Sequence, residues 1–144
     1  MWIRQMLRRM LQENSTPVRL GAGVAVGTFV GLTPLYGLHF ILVLALAPLL
    51  RVNLPAAVIA SQISNPLVAP LLIYVSVWLG EWLGIGPGPA TALHATSGVG
   101  LVKAWFVGST VLGVIAGLTL GAAAAFLRAV LGRRSPARPA TEDP

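Results

Sequence analysis

The chain alternates long uncharged stretches with short polar, helix-breaking points. Residues 20–50 contain no Asp, Glu, Lys or Arg, and their centre reads Leu32-Thr33-Pro34-Leu35-Tyr36-Gly37-Leu38-His39. Almost purely apolar sequence flanks that tip on both sides. Residues 52–80 are again uncharged and are interrupted at Ser64-Asn65-Pro66, with Pro70 just beyond. Residues 82–102 and 104–127 make two further uncharged runs. Runs of this length exceed the roughly 18 residues that argue for a membrane-spanning helix.

The pattern predicts helices throughout. Residues 1–14 put Trp2, Ile3, Met6, Leu7, Met10 and Leu11 on one side and most of the arginines opposite. Such a helix lies in a headgroup layer or packs on the protein's own cytoplasmic face. Thr16 or Ser15 caps the next helix, and Pro17 suits its first position. That helix covers residues 17–32, about 24 Å at 1.5 Å per residue. Pro34 ends it, since proline lacks an N–H and drives the preceding Thr33 into extended backbone. Gly37 supplies the turn, and residues 39–50 make a second helix of about 18 Å. Neither half comfortably spans a hydrocarbon core of roughly 30 Å.

Residues 17–50 are therefore one kinked span or a re-entrant hairpin that returns to its starting side. Charge favours the hairpin. Arginines precede the first apolar run and follow the last, which places both termini in the cytoplasm and requires an even number of crossings. Residues 54–83, broken near Asn65-Pro66, and residues 104–127 supply two. Two short antiparallel spans over residues 17–50 give the same parity. The fold expected is thus an all-α membrane protein: a short amphipathic N-terminal helix, a re-entrant helical hairpin, one broken spanning helix and one continuous C-terminal spanning helix. Residues 15–131 form a single membrane domain, and residues 132–144 form a polar, Pro-rich tail of disordered composition.

Glycine adds packing detail. Gly23, Gly27 and Gly31 recur every four residues, as do Gly113, Gly117 and Gly121. Small residues at that spacing let helices approach closely in lipid. The last helix is expected to pack on the helix that carries Gly23, Gly27 and Gly31, or on its own copy in a neighbour.

Composition narrows the classes. Of 144 residues, 56% are hydrophobic and 10% charged, against about a quarter charged in soluble domains. The net charge of +6 comes from arginines at the ends of apolar runs, a membrane-orientation pattern rather than a nucleic-acid surface. The absence of cysteine excludes disulfides and thiolate chemistry. Residues 1–19 are long for a signal-peptide n-region and lead to no small-x-small cleavage site, so a cleaved leader is not expected.

Three motifs carry a family resemblance: Gly31-Leu32-Thr33-Pro34-Leu35-Tyr36-Gly37-Leu38-His39, Leu50-Arg51-Val52-Asn53-Leu54-Pro55, and Ile63-Ser64-Asn65-Pro66 followed by Pro70 and Tyr74. Residues 17–84 resemble closely, and the last helix loosely, a bacterial membrane family catalogued as domain of unknown function 2062. The family pattern often places Thr after Asn-Pro-Leu, where this chain has Val68. The resemblance implies an integral inner-membrane protein and no settled activity. Fusions of some relatives to glycosyltransferase-like domains point towards lipid-linked sugars or envelope biogenesis.

The polar groups at membrane depth are Thr33, Tyr36 and His39 at the first break and Gln62, Ser64 and Asn65 at the second. Leaving one such group unpaired in an apolar medium costs roughly 2–7 kcal/mol. Pro34 and Pro66 also free the carbonyls of Val30 and Gln62. Non-helical backbone at this depth survives only inside protein or beside water. The two breaks, built by Pro34, Gly37, Pro66 and Pro70, are therefore expected to meet and share hydrogen bonds, as broken helices do in transporters. The same groups can instead serve only to hold the fold. Histidine exchanges a proton near neutral pH, which would give a transporter proton coupling through His39. His94 belongs to an uncharged outer loop, and Glu81 to an interface with Trp78 and Trp82. No carboxylate pair, phosphate loop or metal-spaced histidine cluster is present, so neither an enzyme, a metal site nor a cofactor is expected. Two functions remain. One is a small transporter or lipid-translocating protein with its path between the broken helices. The other is a non-transporting scaffold in envelope biogenesis. The partners expected are the lipid bilayer, a second copy of the chain and an envelope-biogenesis protein, and not nucleic acid.

Overall fold

A computed structural model describes residues 16–35, 37–86 and 98–132. The amphipathic helix expected at residues 1–14, Tyr36, the loop containing His94 and the polar tail lie outside the described residues. The described chain is all helical: α1 (Pro17–Leu32), α2 (His39–Leu49), α3 (Leu54–Ser61), α4 (Ala69–Trp82) and α5 (Gly98–Gly132), with a single 3₁₀ turn at Gln62–Ser64.

Each boundary has a local cause. Thr16 caps α1, its hydroxyl oxygen accepting the N–H of Arg19 at 3.3 Å. Pro17 occupies the first turn. At the other end Thr33 is forced extended (φ −68°, ψ 139°) before Pro34. Gly37, with φ +85°, turns the chain into α2. Asn53 caps α3, its Oδ1 accepting the N–H of Ala56 at 2.8 Å. Asn65 is extended (φ −70°, ψ 160°) before Pro66, as Thr33 is before Pro34.

The helix α2 ends with paired back-bonds: Arg51 N–H to the Pro48 carbonyl at 3.1 Å and Val52 N–H to the Ala47 carbonyl at 3.0 Å. This Schellman closure needs a left-handed residue, normally glycine. Here Arg51 takes it, with φ +54°. Val52 then packs back on a core of Val30, Val43, Ala47 and Ala57, drawn from α1, α2 and α3.

α1 and α2 form a helical hairpin. The N–H of Asn53, just after α2, donates to the carbonyl of Arg19 at the start of α1 at 3.1 Å. A single kinked rod over residues 17–50 would hold those groups far apart. α3 then runs parallel to α1. Gly23 lies against Asn53, Gly27 against Ala57 and Gly31 against Ser61, a constant offset along both helices. α5 runs antiparallel to α1, with Gly121 against Gly21, Gly117 against Ala25 and Gly113 against Phe29. Its N-terminal half lies antiparallel to α4, with Gly108 against Ser76 and Gly80 against Ala104. α1 and α4 thus occupy successive lengths of one long helix.

The two glycine stripes do not face each other. Gly23, Gly27 and Gly31 receive α3. Gly113, Gly117 and Gly121 meet α1 on a different face, at Phe29, Ala25 and Gly21. The contact with α3 needs glycine, since a Cβ at Gly31 would stand 2.6 Å from the Ser61 carbonyl oxygen and one at Gly27 would overlap that of Ala57; at the contact with α5, a Cβ at Gly121 would stand 2.7 Å from the Gly21 carbonyl oxygen. The buried serines at these crossings bond within their own helices, Ser61 to the Val58 carbonyl at 2.8 Å and Ser109 to the Phe106 carbonyl at 2.9 Å. Small, internally satisfied residues therefore pave each close crossing.

Two element bounds differ from the sequence expectation. The last helix covers 35 residues, about 52 Å, and passes through Lys103 and Arg128. Those charges mark the ends of an apolar run, but long cationic side chains swing clear of a helix without stopping it. The span expected over residues 54–83 resumes its helix after the break only at Ala69, because Pro66, Leu67 and Val68 form a turn.

Candidate functional site

The site begins with the carbonyls that the two breaks leave open. At the end of α1 the Phe29 carbonyl takes both the N–H of Thr33 at 3.1 Å and its hydroxyl at 2.9 Å. The N–H of Leu35 turns to the Thr33 carbonyl at 2.7 Å instead of reaching back to Gly31. The Gly31 carbonyl is then filled from the other break, by the hydroxyl of Ser64. The two interruptions are joined by that bond.

The remaining sequence-selected residues fall around this junction. Asn65 is exposed, and its Oδ1 accepts the N–H groups of Leu67 at 3.0 Å and Val68 at 3.1 Å, which starts the turn into α4. His39 opens α2, half-buried, and its N–H donates to the Leu35 carbonyl at 3.1 Å. Gln62 is exposed at the start of the 3₁₀ turn. Pro34 and Gly37 build the first break and Pro66 the second, while Pro70 lies in the first turn of α4. Tyr36, outside the described residues, has no place assigned in this geometry.

Sequence reasoning missed two grooves beside α1. The larger, of ≈ 530 Å³, lies between α1, α3 and α5. Val24 and Thr28 come from α1, Ile59 from α3, Ile63 from the 3₁₀ turn, and Ala124 and Leu127 from α5, with Gln62 at one end. The smaller, of ≈ 310 Å³, lies between α1, α2 and α5 and is wholly apolar around Val26, Phe29, Leu46 and Val114. The signal available in the sequence was the i, i+3, i+4, i+7 spacing of Ala56, Ile59, Ala60 and Ile63, matched by Leu120, Ala123, Ala124 and Leu127.

Charge is divided between the two ends of the bundle. Arg19, Arg51 and Arg128 share one end, because Asn53 bonds to the Arg19 carbonyl and Gly21 packs on Gly121 and Ala125. Glu81 and Lys103 share the other, where Gly80 meets Ala104. Lys103 and Arg128 are about 37 Å apart along α5. Gly113, which touches Phe29 and Leu32, lies about 15 Å from the former and about 22 Å from the latter. The hairpin therefore stops part-way along the uncharged stretch of α5, and the joined breaks sit there with it. Among the described residues no group of three His, Cys, Asp or Glu is placed to hold a metal ion.

Among the described residues one helix, α5, is long and apolar enough to cross a membrane. α3 with its 3₁₀ turn and α4 pass the same test together, bent by 82° at the second break. Neither a curated protein nor a solved structure matches the chain. Residues 1–135 match a family described as an uncharacterized protein conserved in bacteria, DUF2062, and the chain belongs to that family.

Proposed function

We propose that the chain is a multi-pass protein of the bacterial inner membrane that translocates an amphiphilic lipid. Membrane residence rests on where the apolar surface lies. In its most apolar 18-residue window α5 is only 17% buried within the protein, whereas a core helix of a soluble domain is mostly buried. Leu118, Ile115, Phe106 and Leu131 of α5 and Leu71, Tyr74 and Trp78 of α4 are exposed too. Water would not tolerate that surface, and lipid matches it.

With α5 across the bilayer, the arginine end faces the cytoplasm, with both termini. α1 and α2 form a re-entrant hairpin that reaches mid-depth, and α3 and α4 form one broken crossing. The single observation that carries the translocation reading is the larger groove. It runs from the arginine end towards the breaks, is apolar along its length, and has Gln62 at the inner end. An amphiphile suits that gradation: its tail lies on the aliphatic wall while its headgroup moves past the polar break formed by Thr33, His39, Gln62, Ser64 and Asn65.

A second reading, a non-transporting scaffold for envelope biogenesis, draws on a different observation. The side chains of Thr33, Ser64 and Asn65 are all engaged with backbone groups, as purely structural residues would be. Reconstitution separates the two. In vesicles containing a fluorescent phospholipid, the wild-type protein should speed movement between leaflets, and Gln62→Leu and His39→Ala should slow it without loss of helicity. Movement no faster than in protein-free vesicles, for both charged and zwitterionic lipids, would remove the translocation reading and leave the scaffold.

A further inference from the structure

Among the described residues α4 packs closely on α5 alone. Ser76 and Gly80 make that contact, against Gly108 and Ala104. The opposite face of α4 carries Leu71, Tyr74, Trp78 and Trp82, spaced by three and four residues as one helical stripe. All four are exposed, Tyr74 by 70% and Trp82 by 73%.

Tyr74 is the residue that lipid does not satisfy. Trp82, beside Glu81, suits the outer interface, and Tyr74 lies about 12 Å further in along α4, in a hydrocarbon core roughly 30 Å thick. Aromatic side chains on a helix lean towards its N-terminus, which in α4 is the deep end. The phenol is therefore carried away from the headgroups. The hydroxyls of Thr110 and Thr119 on α5 donate to carbonyls of their own helix, at 2.8 Å to Phe106 and 2.9 Å to Ile115. A phenol stands too far from its own backbone for that, and Tyr74 has no hydrogen-bond partner among the described residues. Acyl chains supply none, and an unpaired hydroxyl among them is costly. The exposed Ile115, Leu118 and Phe126 of α5 carry no polar group and make no such demand.

We propose that the α4 stripe pairs with the same stripe of a second copy, about a two-fold axis along the membrane normal. Copies inserted with one topology run α4 beside α4 in parallel, so residues near the axis meet themselves. A phenol both donates and accepts, so Tyr74 of one copy bonds Tyr74 of the other and no different residue is needed. The Trp78 rings suit the offset or edge-to-face contact of aromatic pairs. The four side chains expose about 600 Å² per copy, so pairing covers up to about 1,200 Å² in total, above the roughly 1,000 Å² that a specific interface needs. The proposal rests on the membrane placement of the preceding reading and adds the copy number and the surface.

The full-length protein, labelled once per chain, should be reconstituted at high dilution in phospholipid vesicles and its copies counted by stepwise photobleaching. Wild type should bleach in two steps. Tyr74→Phe keeps the ring and loses the bond, and should weaken the pair about three-fold, the size expected of one hydrogen bond between helices in lipid. Under oxidation a cysteine replacing Trp78 should cross-link to its copy far more than one replacing Leu118. Single copies of helical wild-type protein would mean that lipid covers the stripe, and would overturn the proposal. Equal cross-linking at positions 78 and 118, or an unchanged affinity in Tyr74→Phe, would overturn it too. If the cysteine variants lose helicity, the wild-type count and Tyr74→Phe decide.

Failure of the pair and failure of the preceding reading are distinguishable. Protein that does not float with vesicles removes the membrane placement and the pair together. Single copies that float and move lipid remove the pair and leave translocation. Pairs that move no lipid support the surface and remove translocation.

Discussion

The hydroxyl of Ser64 donates to the carbonyl oxygen of Gly31, and that bond ties together two chain breaks 33 residues apart. Its cause is traceable. Pro34 ends α1, Leu35 directs its N–H to Thr33, and the Gly31 carbonyl is left for whatever the second break presents. Pro66 extends Asn65 and ends the 3₁₀ turn at Ser64, which holds the hydroxyl in reach. Gly31 allows the approach, since any Cβ there would press on Ser61.

Ser64→Ala should therefore destabilise the fold by about 1 kcal/mol, within the range measured for lost hydrogen bonds inside membrane proteins. The loss should appear as a lower midpoint in denaturant or thermal unfolding of purified protein, with helicity unchanged below the midpoint. An unaltered midpoint would mean that the Gly31 carbonyl finds water or another donor at no cost, and that the two breaks are not energetically coupled.

The close crossing of α1 on α3 makes a sharper prediction. A Cβ at Gly27 meets the carbonyl of Ala57, a backbone atom with no rotamer to yield, whereas at Gly98 nothing lies within 4 Å. Gly27→Ala should lower stability by about 1–3 kcal/mol, the usual range for overpacking. Gly98→Ala should change it little. Paired unfolding curves check both, and equal midpoints for the two variants would contradict the packing.

How much of this was legible beforehand depends on how local the determinant is. The bounds of α1 follow from Thr16, Pro17 and Pro34, which act within a turn of themselves, and sequence and structure agree there to the residue. The ends of α5 do not follow from Lys103 and Arg128, because charge limits contact with lipid and not backbone hydrogen bonding. The period of the glycine stripes was visible, but their partners were not. Gly21 and Ala25 offer a second small-residue face on α1, and nothing in the spacing says which face takes α3 and which takes α5. The need for the breaks to share a bond followed from orphaned carbonyls. The carbonyl expected to be open was that of Val30; the one bonded across the breaks is that of Gly31, because the turn diverts the N–H of Leu35. The side chain of Asn65, expected to line the site, also closes the turn that precedes α4, a role its position before Pro66 did not announce. The grooves were not anticipated at all, since they arise from three helices whose mutual rotation no single stretch of sequence encodes.

Arg51 holds a left-handed conformation, φ +54°, in the closure after α2. A residue with a Cβ gives up roughly 1–2 kcal/mol there, and glycine returns roughly 0.5–1 kcal/mol of that through its freer unfolded chain. Arg51→Gly should therefore raise stability by up to about 1 kcal/mol, and the β-branched Arg51→Val should lower it by at least as much. Thermal unfolding of the two variants beside wild type reads the difference. A fall in the glycine variant would show that the arginine side chain contributes more than its backbone strain removes.

The hairpin itself can be tested from outside the protein, because the chain has no native cysteine to mask a probe. Asn53 bonds to the Arg19 carbonyl, so the two ends of the α1–α2 hairpin share one end of the bundle, and α5 begins at Gly98 towards the other. In the proposed membrane placement a cysteine replacing Arg51 should react with an impermeant maleimide only from the cytoplasmic side. One replacing Gly98 should react only from the outer side. Leu38, at the tip, is exposed on the protein but placed at mid-depth, so its cysteine variant should react from neither side until detergent is added. Labelling of positions 51 and 98 from the same side would exclude α3 and α4 as a broken crossing between them. Ready labelling of position 38 from the outer side would instead make residues 17–50 two short spans, with the polar junction at the membrane surface and no groove leading to it from mid-depth.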